Sequence, residues 1–98
     1  MPKFVMLSTL GPDGSARIRE NPERLREVRD EVEAMGVKVL QQYALLGSWD
    51  FLNIIEAPDA LVMARVATML SARGTLKTLT LSAIEIEDFI ASMKEAQP

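Results

Sequence analysis

VKVLQQYALLGSWDFLNIIE, residues Val37–Glu56, decides the fold. Val37 to Leu46 is rich in Val, Leu and Tyr and reads as a strand. Gly47-Ser48 interrupts it. Trp49 to Glu56 follows as another strand, the most apolar of the chain. A break this short predicts an antiparallel hairpin.

The flanks place that hairpin in a larger pattern. Upstream, Leu25, Val28, Val32 and Met35 recur at spacings of three and four and form one helical stripe. Asn21-Pro22 supplies an expected N-cap and first helical position, and Gly36 an expected C-terminal stop. Arg26/Asp30 and Arg29/Glu33 stand at i,i+4 on the outer face. Ser15 to Glu20 adds a turn or short helix with Ile18 packing inward. Phe4 to Leu10 reads as the first strand, closed by the turn residues Gly11-Pro12-Asp13-Gly14. Downstream, Ala57-Pro58-Asp59 opens a helix whose expected apolar face is Leu61, Val62, Val66, Met69 and Leu70. Arg73-Gly74 ends it. Thr75 to Ser82 alternates Leu and Thr as a fourth strand. Ile86, Phe89, Ile90 and Met93 mark a last short helix, with Ser82 to Glu85 matching a capping box, and Gln97-Pro98 is expected to fray. The order is β-α-β-β-α-β plus a C-terminal helix. This is an α+β, ferredoxin-like pattern: a four-stranded antiparallel sheet, strands one and three central, both main helices on one face. Residues 1–98 read as one domain.

Helices on one face leave the other to water or a partner. Period-2 alternation splits each strand into two sets. Val5/Leu7, Leu52/Ile54 and Leu79/Leu81 form the drier set and are expected to face the helices. Met6, Ser8, Trp49, Phe51, Asn53, Ile55, Leu76, Thr78 and Thr80 are then expected on the second face. That mixture suits an interface, and two such sheets packed face to face make a two-fold barrel.

Composition excludes several functions. The 98 residues contain no Cys and no His. Disulfides, thiolate metal sites, a Ser-His-Asp triad and an imidazole shuttle are therefore excluded. Eleven basic and fourteen acidic residues give a net charge of −3. A nucleic-acid binder of this size carries a basic stripe instead. No apolar run approaches the ~20 residues needed to cross a bilayer, and Phe4–Leu7 is too short for a signal-peptide core. The expectation is a cytoplasmic protein without a metal, nucleic-acid or membrane partner. Gly11–Gly14 lacks the pattern of a phosphate cradle, and no EF-hand spacing occurs. The six Met residues sit mostly at apolar periodic positions, as core filler.

The segment Gly47-Ser48-Trp49-Asp50, running on through Phe51 to Asp59, resembles the signature of the GYD domain family. Asn21-Pro22-Glu23-Arg24-Leu25, the Glu56-Ala57-Pro58-Asp59 run and the Thr/Leu-rich last strand fit the same family. The resemblance spans essentially the whole chain. It implies membership of the dimeric α/β-barrel superfamily, whose ferredoxin-like protomers pair through their sheets. Trp49 stands where the family signature has Tyr, so no phenol is present there.

Five residues are candidate ligand-binding residues. Tyr43 is the only phenol, and it also suits the rim of a strand. Trp49 can wall a pocket or pack in a core. Asp50 can act as base or ligand contact, or cap backbone N–H groups of the hairpin. Asn53, inside an apolar strand, needs a hydrogen-bond partner when buried: ligand, water or symmetry mate. Thr78, with Thr80, can line a cavity, and alternating Thr is also ordinary strand chemistry. Arg17 and Lys77 can counter an anion or simply be solvated. No cofactor is implied and no catalytic residue stands out.

Two functions are compatible with these residues. One is a homodimer or higher homo-oligomer that binds a small apolar or aromatic molecule, or is purely structural. The alternative is a cofactor-independent, oxygenase- or isomerase-like enzyme using the barrel cavity with Tyr43, Asp50 and Asn53. A haem-degrading relative fits poorly, because the usual axial His is missing.

Overall fold

A computed structural model describes residues 1–74 and 76–96. β1 (Lys3–Leu10) leads into α1 (Gly14–Glu20) and α2 (Arg24–Glu33). The hairpin β2 (Lys38–Ala44) and β3 (Phe51–Glu56) follows, then α3 (Ala60–Ala72), β4 (Leu76–Ala83) and α4 (Ile86–Glu95). The sheet order is β2-β3-β1-β4, antiparallel throughout, with β1 and β3 in the centre. This is the ferredoxin-like arrangement expected from the sequence. The expected strand start at Thr75 and the fraying of Gln97-Pro98 lie outside the described residues.

Local chemistry accounts for most boundaries. Asp59 caps α3: its Oδ1 accepts the Val62 N–H at 2.9 Å. Gly36 follows α2 with φ +102°, a conformation that β-carbons disfavour. Two expected caps do not form. Asn21 closes α1 instead, its N–H donating to the Arg17 carbonyl, and α2 has no side-chain cap. Glu85, not Ser82, occupies the N-cap position of α4 and makes no capping bond; its carboxylate pairs with Lys3. Of the expected i,i+4 pairs on α2, Arg29–Glu33 forms at 3.8 Å.

The two sheet faces are the reverse of the sequence expectation. Phe4, Met6, Val39 and Ile55 are buried against Val32 of α2 and Met63, Val66 and Leu70 of α3. Cross-strand register puts Ser8, Phe51, Asn53, Leu76, Thr78 and Thr80 on this same helix-covered face. Val5, Leu7, Leu52, Ile54, Leu79 and Leu81 share the opposite, open face, joined by Tyr43 opposite Leu52. Leu79 and Leu81 are 42% and 46% exposed. Helix side chains pack over Phe4, Met6, Val39 and Ile55. Asn53, directly opposite Met6, and Ser8, two residues further along β1, border a space the helices leave unfilled.

The α3 stripe also differs from expectation. Met63, Val66 and Leu70 are its buried residues, whereas Leu61 and Met69 are exposed. This helix is apolar on two sides, so periodicity alone leaves its rotation open. None of α4 is buried, and Ile86, Phe89, Ile90 and Met93 are all exposed. The molecule measures 57 × 29 × 19 Å with a radius of gyration of 15.4 Å. A compact chain of this length has about 13 Å.

Candidate functional site

A cavity of about 300 Å³ occupies the unfilled part of the covered face. Ile18 of α1, Leu25 and Val28 of α2, Phe51 of β3 and Leu76 of β4 give it apolar walls. Ser8, Gln42 and Asn53 contribute polar groups from the sheet, and Arg17, Arg24 and Arg73 add three guanidinium groups. A narrower recess of about 40 Å³ is also bordered by Ser8 and Asn53. Close approach of backbone shapes one wall. A β-carbon on Gly14 would lie 2.8 Å from Leu10 Cβ, so glycine lets the start of α1 sit against the end of β1.

Ser8 is only 2% exposed. Neither its hydroxyl nor the Asn53 carboxamide is hydrogen-bonded to another described residue. The arginines differ in their partners. Arg24 reaches Glu27 and Glu31, each at 3.1 Å, and Arg73 pairs with the other Glu31 oxygen. Glu31 therefore ties α2 to the end of α3. Its carboxyl is held below the ordinary range, first by Arg73 and then by Arg24. Arg24 is raised by its bonds to Glu27 and Glu31. Arg17 makes no ion pair among the described residues.

The five candidate residues separate. Asn53 lines the cavity; Tyr43 borders it from the edge strand, but the register sets its side chain on the open face, where it is 49% exposed. Trp49, Asp50 and Thr78 do not line it. Asp50 Oδ2 accepts the Leu10 N–H at 2.8 Å, and the Asp50 N–H donates to the Ser8 carbonyl at 2.9 Å. Asp50 thus pins the hairpin to the end of β1. The Thr78 hydroxyl meets Ser71 Oγ at 3.3 Å. Trp49 is half-buried beside the turn. Sequence reading placed Ser8 on a sheet face and weighed Arg17 as an anion partner, but gave Arg24, Gln42 and Arg73 no role at a site. Their convergence is tertiary and leaves no spacing signal. No group of three or more His, Cys, Asp or Glu side chains suited to hold a metal occurs among the described residues. No helix among them is long and apolar enough to cross a membrane.

The backbone places the chain among ferredoxin-like α+β proteins. It matches the crystal structure of FFRP-DM1 with a TM-score of 0.58 at 20% identity, over 86% of this chain and 100% of that one. PHS023 from Pyrococcus horikoshii matches with 0.57 at 21% identity, over 87% and 92%. TTHA0845 from Thermus thermophilus matches with 0.55 at 20% identity, over 87% and 95%. These likenesses are of fold. The GYD domain model matches residues 4–93, and the chain belongs to the GYD domain family. A Thermus thermophilus relative, 50% identical over 95 residues, covers 96% of this chain and 100% of its own length. That relative is named glutamine synthetase and cystathionine beta-lyase binding protein.

Proposed function

We propose that this chain is a homodimeric binding module. Two copies pair through their open sheet faces into a closed barrel, and the dimer docks onto partner enzymes. The observation that carries this reading is the apolar open face, with Val5, Leu7, Leu52, Ile54, Leu79 and Leu81 side by side. The chain exposes 6,901 Å². A compact monomer of its mass exposes about 5,600 Å², and a standard interface removes about 800 Å² from each partner. The surplus is thus large enough for a two-fold contact. The unburied stripe of α4 adds apolar surface that a second copy can cover.

The docking part draws on the 50%-identical relative, whose name describes a binding protein for glutamine synthetase and cystathionine beta-lyase. The cavity chemistry favours binding over catalysis. Three arginines and no carboxylate line it, a set that holds an anion but offers no carboxylate base.

A Leu52→Lys/Leu79→Lys variant tests both parts. Charges opposed across the barrel should give monomers on size-exclusion chromatography. The same variant should lose the wild-type response to purified glutamine synthetase in biolayer interferometry. A variant that stays dimeric contradicts the sheet-face pairing. A wild type that fails to bind the enzyme contradicts the docking.

A further inference from the structure

We infer that the 300 Å³ cavity binds a small organic carboxylate with an apolar body and a hydroxyl or carbonyl at its far end. This rests on reading the cavity as a ligand site. Its size is at the lower end for small-molecule pockets, about 300–1,000 Å³. Three features of the lining set the class. Leu25, Val28, Phe51 and Leu76 demand an apolar middle. Arg17 is exposed and without an ion pair among the described residues, whereas Glu31 already engages Arg24 and Arg73. A guanidinium of this kind favours a carboxylate, through paired N–H donors in a fixed fork. At the sheet, Ser8 is almost wholly buried, and with Asn53 it offers hydrogen bonds that no described residue takes. A hydroxyl on a buried residue and a half-buried amide, both open to the cavity, favour a polar atom on the ligand.

Charge also selects against the alternatives. No Asp or Glu lines the cavity, so a cationic ligand meets only arginines there. A phosphate ester would gain from the arginines, but no Lys lines the cavity.

The probe is para-hydroxyphenylpropanoate, compared with its uncharged amide and with phenylpropanoate, which lacks the hydroxyl. Binding is followed by calorimetry and by NMR shifts of the Asn53 side-chain amide and the Gly14 backbone amide. The acid should bind about tenfold more tightly than the amide, the difference expected for one charge-assisted contact. Arg17→Gln should erase that difference, and Arg17→Lys should restore part of it. Asn53→Leu should weaken the hydroxylated acid towards phenylpropanoate. Equal binding of acid and amide, insensitive to Arg17→Gln, overturns the carboxylate class but keeps the cavity as a site. Binding of none of the three overturns the site itself. Neither result bears on dimerisation, which is read separately from the oligomeric state.

Discussion

Thr80 Oγ1 is sealed from water and has no hydrogen-bond partner among the described residues. It lies opposite Met6 on the covered face, within the dry part of the protein. An unmade hydrogen bond there costs about 1–3 kcal/mol. Thr80→Val keeps the shape, removes the orphaned hydroxyl and suits a strand. It should raise stability by about 1 kcal/mol, read from the midpoint of urea unfolding. A loss of stability would mean that the hydroxyl is satisfied after all. Asp50 is the opposite case. Its carboxylate satisfies the Leu10 N–H at 2.8 Å, a donor at the end of β1 and not one of the hairpin's own N–H groups. Asn53 and Ser8 lie between these cases. Their side chains have no hydrogen-bond partner among the described residues but border a cavity rather than only packed side chains.

Elements show where sequence reading succeeds and where it stops. Strands and helices follow from turn residues and periodicity: Gly11-Pro12-Asp13-Gly14, Gly36 and Asp59 lie close to element boundaries, whereas Gly47-Ser48 sits inside a loop that runs from residue 45 to 50, longer than the two-residue break expected. The sheet order follows from two right-handed crossovers. Period-2 alternation also sorts β1, β3 and β4 into the correct pairs of sets, because Val5, Leu7, Leu52, Ile54, Leu79 and Leu81 do share a face. It cannot say which set faces the helices, since that depends on where helix side chains fill the space. The drier set was expected inward and lies outward. The cavity was equally illegible: Arg17, Arg24 and Arg73 come from three different helix segments, and only packing assembles them.

Ion pairs between elements set an expected pH dependence. Glu31 links α2 to Arg73, and Glu85 links the start of α4 to Lys3. Both carboxyls titrate lower when folded, because of Arg73 and Arg24 for Glu31 and Lys3 for Glu85. Their stabilisation is therefore present above the ordinary carboxylate range and is lost as pH falls through the lowered folded values. Lys3 is raised by Glu85, so its share is present below the ordinary lysine range and disappears as pH rises through the raised value. All these groups are exposed, which keeps the effect small. Thermal melts from neutral to acid pH should show a shallower decline for Glu31→Gln than for wild type. Coincident slopes would mean that the bridge contributes nothing.

The whole molecule is too extended and too exposed for its mass. A 57 Å long axis, an unburied α4 and a sheet face paved with leucine, isoleucine and valine leave apolar surface that water does not favour. A two-fold pairing of the open faces accounts for the sheet with a single contact, and it gives the outward set of strand residues the burial that their composition demands. Native mass spectrometry of the undenatured protein tests this most directly. A species of twice the 10.9 kDa chain mass, or a multiple of it, is the expected result. A clean monomer at micromolar concentration would contradict the paired-sheet barrel.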